Sequence, residues 1–254
     1  MTSDEKPYIV FDNFKIYYND PFDISAIIEV FVLDVYEAKN IDQGDTIIDI
    51  GAGIGEFSLL ASHRTGSKGK VIAIEPSPDD YATLLMNVKE NRCDNVIPLN
   101  IAVSDKPMKL ELEFKGKRFY SKSDTLDNVL QNLNIERSSV KFMKMDIEGA
   151  ERQVIPLSIQ IIDQVNFLAM EIHNGYQEDL IPIMRRLGFT FSRMSSRKHY
   201  LTKSLKVALT HPLATYFLFK TFRKNGEYPG LKKILNGIEI SKSDKLVVGT
   251  FKRQ

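Results

Sequence analysis

The sequence has little cysteine and no long apolar run. A single cysteine, Cys93, among 254 residues excludes an internal disulfide framework and redox chemistry between cysteines. No stretch reaches the roughly 18 uninterrupted apolar residues that a membrane span needs. Residues 1–13 lack the basic-then-apolar order of a signal peptide. We therefore expect a soluble, cytoplasmic protein whose 43% hydrophobic content buries one sizeable core.

Charge is distributed unevenly along the chain, although the net charge is only +1. Residues 193–254 carry 14 Lys and Arg against 3 Asp and Glu, whereas residues 1–192 carry 20 against 30. A basic tail beside an acidic body is typical of two situations. One is an anionic partner, such as nucleic acid or a phospholipid surface. The other is charge complementarity within the molecule or between subunits.

From residue 45 onward, short apolar runs alternate with amphipathic segments. The predicted strands are the apolar runs 46–49, 70–74, 95–99, 140–145 and 165–172. Apolar positions at i, i+3, i+4 and i+7 predict crossover helices around 81–88, 126–133 and 180–187. Apolar strands that alternate with helices indicate an α/β fold with a largely parallel sheet and helices on both faces.

Two segments outside this alternation precede or interrupt it. An amphipathic helix is predicted over 22–38, behind Pro21, where it packs on the sheet edge or roofs a site. Residues 108–119 alternate in hydrophobicity around Gly116, which predicts a small β-excursion before the fourth main strand.

The C-terminal part of the sequence predicts a last pair of strands. The segments LGFTFSRM and KLVVGTFKR are interpreted as an antiparallel pair, giving an antiparallel edge on an otherwise parallel sheet. A basic, partly helical insertion at about 198–240 separates them. We accordingly expect an N-terminal extension over 1–39 and one domain over 40–254.

The strongest local signal is a glycine loop between a buried strand and a helix. Gly51, Gly53 and Gly55 follow Asp49 at this turn, so backbone amides at the helix N-terminus are available to a ligand. The spacing differs from that of a dinucleotide loop, and no Gly-Lys-Ser/Thr ending is present. Both facts disfavour NAD and nucleoside triphosphates. Asp49 either orients the cationic methionine end of S-adenosylmethionine or is a turn former before glycines.

Acidic and amide side chains end the next two strands. Glu75 is placed to accept hydrogen bonds from both hydroxyls of an adenosyl ribose. The alternative for Glu75 is a carboxylate favoured by the dipole of the following helix. Asn100 and Ile101 are placed to border an adenine, although a loop asparagine is also an ordinary turn former.

Several motifs together resemble the FkbM family of methyltransferases. They are DIGAGIGEFSLLAS, IAIEPSP, NIAVSD, SDTLDNVL, VKFMKMDIEGAE and FLAMEIH, within residues 40–195. The most specific is KMDIEGAE, from Lys144 to Glu151. The resemblance implies a Rossmann-like class I methyltransferase fold, with a seven-stranded, mostly parallel sheet and an antiparallel last strand. It also implies S-adenosylmethionine as methyl donor and O-methylation of a sugar, glycolipid or other small metabolite. The cofactor contacts expected on this basis are Asp49, Gly51, Ala52, Gly53, Gly55, Phe57, Glu75, Pro76, Asn100, Ile101 and Asp146.

The ends of the fourth and fifth strands carry the candidate catalytic residues. Methyl transfer requires the acceptor oxygen to be aligned with the methyl group and its proton to be removed. Asp146 and Glu148 follow the fourth strand and are predicted to orient the acceptor or the methionine amino group. Glu171 and His173 share one face of the fifth strand, and His173 is the predicted general base because an imidazole titrates near neutral pH.

Two alternatives exist for this cluster. His173 is either the base or a locally hydrogen-bonded strand-end histidine. The carboxylates and the imidazole are also a donor set that a divalent cation accepts, although we predict no metal. Oxygen is the predicted acceptor atom, because the turn after the fourth strand is Asp-Ile-Glu-Gly. Enzymes that methylate exocyclic base nitrogens often carry Asn/Asp-Pro-Pro-aromatic there.

The sequence of the basic insertion is compatible with more than one binding partner. Lysines between 203 and 224 interleave with Leu, Tyr and Phe residues, which fits docking onto the body or onto a second subunit. It also fits an interfacial helix that brings a lipid-linked acceptor to the site. Two further functions are kept as alternatives. One is an RNA methyltransferase that binds nucleic acid through this segment, and the other is a non-enzymatic protein that retains the adenosyl pocket.

Overall fold

A seven-stranded sheet forms the centre of the protein in the computed structural model, which describes residues 6–173, 175–193 and 247–253. The strands in this part of the chain are β1 Tyr8–Phe11, β2 Phe14–Tyr17, β3 Thr46–Ile50, β4 Lys70–Ile74, β5 Val96–Leu99, β6 Ala102–Val103, β7 Met108–Phe114, β8 Lys117–Asp124, β9 Val140–Met145, β10 Phe167–Ile172, β11 Phe189–Arg193 and β12 Val247–Arg253. The α-helices are α1 Pro21–Phe31, α2 Glu56–Thr65, α3 Pro78–Glu90, α4 Leu126–Asn132, α5 Glu151–Leu157, α6 Ile159–Ile162 and α7 Gln177–Arg186. The spatial order of the central sheet is β11-β12-β10-β9-β3-β4-β5.

The five predicted parallel strands are confirmed as β3, β4, β5, β9 and β10. Their apolar side chains face both ways, as expected for a sheet that is covered on both sides. Ile47 belongs to one buried cluster and Ile48 to the other, so successive residues of β3 enter the two layers of the core. The crossover helices predicted between the strands are confirmed as α3, α4 and α7.

The terminal antiparallel pair is confirmed at one edge of the sheet, with the antiparallel last strand of the chain as the inner member of the pair. Strand β12 is antiparallel to both β10 and β11, and it lies between them. The edge strand is therefore β11, which runs parallel to β10. The physical reason is burial: Phe251 of β12 is fully buried, whereas β11 alternates between the buried Phe189 and the exposed Thr190, as an edge strand does.

The N-terminal helix is shorter than the sequence predicts. It begins after Asp20, whose side chain caps it in a capping box with Asp23, and it ends at Phe31 rather than near residue 38. Beyond it the backbone turns at Asp34 and Glu37, which both have positive φ angles. These turns keep the apolar side chains that follow the helix buried, and Tyr36 among them points toward the sheet ends.

Two small β structures lie outside the central sheet. Strands β1 and β2 form an N-terminal hairpin that the sequence analysis missed, although an Asp-Asn turn between two alternating segments is a hairpin signal. The predicted β-excursion is confirmed as the hairpin of β7 and β8, which continues to Asp124 and pairs with β6. Its two-residue turn is Lys115-Gly116, where both φ angles are positive.

The basic insertion at 198–240 lies outside the described residues. The boundary predicted at residue 39 stays a prediction, but Ile9 and Ile24 belong to the same buried cluster as Ile47 of the sheet. Within the described part of the chain, no helix has both the length and the apolar character needed to cross a bilayer.

Candidate active site

A cavity of about 790 Å³ opens at the carboxyl ends of the central strands. At this position the chain passes from β3 to β4 on one side of β3, and β9 lies on the other side. Open α/β sheets bind ligands at such a position. The predicted site residues on its wall are Gly51, Gly53, Glu75, Pro76, Ile101, Asp146 and Glu148. Two further walls are formed by α1 and by the hairpin of β7 and β8. The volume is within the usual range of small-molecule and cofactor sites.

The glycine loop has the backbone geometry that only glycine accepts easily. Gly51 has a φ of 76°, and a Cβ atom there would lie 1.7 Å from the carbonyl oxygen of Asp146. This close approach brings the β3 loop against the end of β9. Ala52, Gly55 and Phe57 lie behind the loop rather than on the cavity wall, and Phe57 is fully buried.

Glu75 fixes the loop to the end of β4. Its Oε2 accepts a hydrogen bond from the Gly53 amide at 2.7 Å, and its Oε1 accepts one from the Ser77 amide at 2.7 Å. Burial raises the pKa of Glu75 to about 8, against the opposing effect of these two amides. A hydroxylated ligand in the cavity would offer this carboxyl further donors. Asn100 lies behind Glu75 and donates to its carbonyl oxygen at 2.8 Å.

A buried lysine that sequence reasoning missed lies under the loop. Lys144 of β9 is 1% exposed, and its Nζ donates to the carbonyl oxygen of Gly51 and lies 3.3 Å from Asp49 Oδ1. Asp49 is fully buried and also accepts a hydrogen bond from Ser58. Burial disfavours the charge of Lys144, but the nearby carboxylates, Asp49 foremost, outweigh it and raise the pKa. The structure thus places Asp49 beneath the loop, away from the cavity wall.

A tyrosine from the N-terminal segment connects the ends of β9 and β10. The Tyr36 hydroxyl lies 2.9 Å from Glu171 Oε1 and 3.2 Å from Asp146 Oδ2. Burial, together with the charges of Asp146 and Glu171, raises the pKa of Tyr36, so this hydroxyl keeps its proton and can donate it. Burial and the proximity of Asp146 likewise raise the pKa of Glu171 well above its ordinary value.

His173 is surrounded by carboxylates. Its Nδ1 lies 2.9 Å from Oε1 of Glu151, whose side chain is fully buried. Its Nε2 faces Glu148, Glu171 and Asp146 at 3.5, 3.8 and 4.0 Å. Burial lowers the pKa of His173, but the hydrogen bond and charge of Glu151, with those of Asp146 and Glu148, outweigh it and raise the pKa. The three predicted catalytic residues are therefore brought together.

The same cluster has a geometry that a divalent cation could use. One ligand atom each of Asp146, Glu171 and His173 lie within 4.8 Å of one another. The hydroxyl of Tyr36 already contacts one oxygen of each carboxyl. A metal-assisted reaction is thus an alternative to proton transfer by His173. Activity measured with a chelator distinguishes the two mechanisms, because only the metal-assisted reaction would be lost.

Sequence signals for the missed residues differ in strength. Lys144 and Glu151 belong to the KMDIEGAE motif, and a lone lysine in an apolar strand indicates a buried ion pair. Tyr36 carries no such signal, because it is 110 residues from Asp146 and 135 from Glu171 in the sequence.

The sheet order and the cavity at its strand ends are those of the Rossmann-like methyltransferase fold. Within that class, the model of the methyltransferase FkbM domain matches residues 49–191. The chain therefore belongs to the FkbM family, and the resemblance found in the sequence is confirmed. S-adenosylmethionine is the methyl donor of this class, which confirms the predicted cofactor.

Relatives within curated proteins act on different acceptors. The hexuronic acid methyltransferase AglP of Haloferax volcanii is 27% identical over 144 residues, which cover 53% of this chain and 58% of AglP. The ribosomal RNA large subunit methyltransferase E of Nitratidesulfovibrio vulgaris is 28% identical over 120 residues, which cover 40% of this chain and 57% of that protein. The chain thus spans less than two thirds of the length of each of these relatives.

One of the solved structures that the chain resembles is an rRNA methylase from Streptococcus thermophilus. It has a TM-score of 0.48 and 10% identity, and the match covers 92% of this chain and 97% of that one.

Replacing Glu151 by Gln is expected to lower the pKa of His173. The substitution keeps a side chain beside Nδ1 but removes the charge that favours the protonated ring. The pKa can be followed by NMR titration of the ring protons, since the chain has four histidines. The wild-type pKa should lie above 6.5. An equal pKa in both proteins would contradict the role of Glu151.

Replacing Lys144 by Met is expected to destabilise the protein by about 3–5 kcal/mol, because it leaves the buried charge of Asp49 without its partner. The double variant Asp49→Asn/Lys144→Met removes both charges and should recover part of this loss. Lys141→Met, at the exposed start of the same strand, is the matched control. Urea denaturation measures all three, and equal stability of the Lys144 and Lys141 variants would exclude the buried ion pair as a stabilising element.

Proposed function

We propose that the chain transfers a methyl group from S-adenosylmethionine to a hydroxyl oxygen of a sugar, glycolipid or other small metabolite. The observation that carries this proposal is the shared cavity. The glycine loop and Glu75 line one part of it, and Asp146 and Glu148 line another, with His173 directly behind them. A methyl donor and an acceptor hydroxyl can therefore meet in one enclosed space.

The residues at the loop fit an adenosyl cofactor. Glu75 is 6% exposed, lies on the cavity wall and ends a parallel strand, as a ribose-binding acid does. Pro76 and Ile101 offer apolar surface beside it. When bound, S-adenosylmethionine supplies a methyl group on a positively charged sulfur. An acidic cavity favours such a cation.

His173 is suited to accept the proton of a hydroxyl. Because Glu151 accepts a hydrogen bond from Nδ1–H, the neutral ring carries no proton on Nε2. Nε2 therefore has a free lone pair directed toward Glu148 and Asp146. These carboxylates can orient the acceptor hydroxyl and stabilise the imidazolium that forms when the proton arrives. Tyr36 keeps Asp146 in place from the other side.

A sugar acceptor has specific support. One relative of the chain, AglP, is a hexuronic acid methyltransferase. The turn after β9 is Asp-Ile-Glu-Gly, without the Pro-Pro-aromatic turn often found in methylases of base nitrogens. Both points favour oxygen on a small polar molecule as the acceptor atom.

RNA methylation is the second candidate, because an RNA methyltransferase is also among the relatives. The charge of the cavity weighs against it. Among the described residues, eight acidic side chains and one lysine line the wall, and those acids that are ionised repel phosphate groups. RNA would have to bind through the basic segment 198–240. The same segment is proposed to contact anionic lipid when the acceptor is lipid-linked.

Calorimetry with S-adenosylmethionine and S-adenosylhomocysteine tests the cofactor site. We expect binding by the wild type and its loss in Glu75→Ala, because the variant removes the carboxyl group that is proposed to bind the ribose hydroxyls and that accepts a hydrogen bond from the Gly53 amide. NAD is the control ligand, and Glu111→Ala, on the exposed outer face of β7, is the control variant. Absence of binding by the wild type would overturn the cofactor assignment.

A screen of hydroxylated acceptors with labelled methyl donor tests the catalytic role of His173. His173→Gln should retain S-adenosylhomocysteine binding but lose turnover. In the wild type, kcat/KM should rise with pH through a pKa above 6.5, because only the neutral ring accepts a proton. EDTA should leave this profile unchanged. Full turnover of the variant would exclude His173 as base, and loss of activity in EDTA would favour the cation alternative.

A further inference from the structure

The hairpin of β7 and β8 extends across the cavity as an arm. Leu110, Leu112, Phe114 and Phe119 on its inner face line the cavity. Within the described residues, these side chains belong to neither of the two buried clusters that form the core. The arm is therefore held over the cavity without support from the hydrophobic core, and a ligand is what would cover its inner face.

Strand pairing and a hydroxyl hydrogen bond hold the arm at the end where it leaves the central sheet. Strand β8 pairs with β6 through Ala102 and Val103, which follow the end of β5. The hydroxyl of Ser104 donates to Ser123 at 2.8 Å beside this pair. These contacts fix the position at which the arm leaves the sheet but not the position of its tip.

The tip is fastened by one lysine to three carboxylates. Lys115 Nζ forms an ion pair with Asp23 and lies 3.2 Å from Asp20 and 3.6 Å from Asp80. Asp20 and Asp23 begin α1, and Asp80 lies in the first turn of α3. The lysine side chain is 21% exposed, and those of Asp23 and Asp80 are each 5% exposed. This cluster, Lys115 with Asp20, Asp23 and Asp80, is called the clasp below.

The clasp joins two walls of one cavity. Phe22, Asp23 and Ala26 of α1 line the same cavity as the arm. A bound cofactor would lie between α1, the arm and the glycine loop. With the clasp closed, a ligand the size of S-adenosylmethionine has to pass between walls that are tied together.

We propose that the arm is a gate over the cofactor cavity and that Lys115 is its latch, which releases when the cofactor enters and when the demethylated product leaves. The identity of the gated ligand rests on the proposed function, whereas the latch itself does not. Lid movements of this kind commonly control ligand exchange in enzymes.

The charges explain why one residue can hold the gate. Without Lys115, the poorly exposed carboxylates of Asp23 and Asp80 face each other with no cation between them. Their repulsion and desolvation then favour separation of the walls. The neighbouring pair of Lys117 and Asp79 is different, because its side chains are 74% and 66% exposed. Such exposed pairs contribute little to stability.

The turn therefore offers a matched pair of variants, Lys115→Met and Lys117→Met. Both replace a lysine beside Gly116 by an unbranched residue, but only Lys115 has a positive φ angle, so Lys115→Arg is the control for the backbone at that position. Rates of S-adenosylhomocysteine association and dissociation are measured by surface plasmon resonance. Lys115→Met should raise both rates, and the dissociation rate by roughly tenfold, because the variant lacks the ion pairs that hold the gate closed. Lys117→Met should stay within about twofold, as exposed pairs do. Lys115→Arg keeps the charge and should lie nearer the wild type.

Hydrogen exchange in the absence of ligand provides a second measurement. Peptides covering 108–124 should exchange faster in Lys115→Met than in the wild type or Lys117→Met, while peptides of β3 and β9 remain protected. If Lys115→Met has the ligand association and dissociation rates of the wild type and the same hydrogen exchange in 108–124, the proposal that Lys115 is the latch is wrong. If the wild type does not bind S-adenosylhomocysteine, the proposed function fails, and the exchange measurement still decides whether Lys115 holds the arm.

Discussion

The buried ion pair between Lys144 and Asp49 is the interaction on which the site depends. It joins neighbouring strands, β9 and β3, directly below the glycine loop, and the same ammonium group holds the carbonyl oxygen of Gly51. The loop can then approach the end of β9 so closely that no side chain fits at Gly51. A charge this deep in the core is tolerated only with partners of opposite sign, so the pair also fixes the register in which these two strand ends meet.

A second constraint is the excess of carboxylates around the cavity. Each group of acids is balanced by a donor of its own: Lys144 beneath the loop, His173 at the end of β10 and Lys115 at the tip of the arm. The remaining negative charge suits a ligand with a cationic sulfur. The same negative charge is unfavourable for phosphate. An anionic partner is therefore expected at the basic C-terminal segment and not inside the cavity.

The N-terminal segment is part of the site, although the family match begins only at residue 49. Its hairpin and helix belong to the same buried cluster as the central sheet, α1 forms one wall of the cavity, and Tyr36 reaches Asp146 and Glu171. Removing this segment would therefore expose core residues and release the two carboxylates from a common hydroxyl. The region that identifies the family and the region that completes its cavity are thus different parts of the chain.

The sequence by itself determined the parallel strands, the glycine loop, Glu75 and the family, because these depend on local periodicity and on residues close together in the chain. It also predicted that Asp146, Glu148 and His173 lie close together, since parallel strands end at one edge of a sheet. Only the tertiary structure decided that Asp49 lies below the loop beside Lys144, that Tyr36 joins two strand ends and that β12 lies inside β11. These features arise from contacts between residues far apart in sequence, where burial and charge pairing in three dimensions select the partner and no local pattern records it.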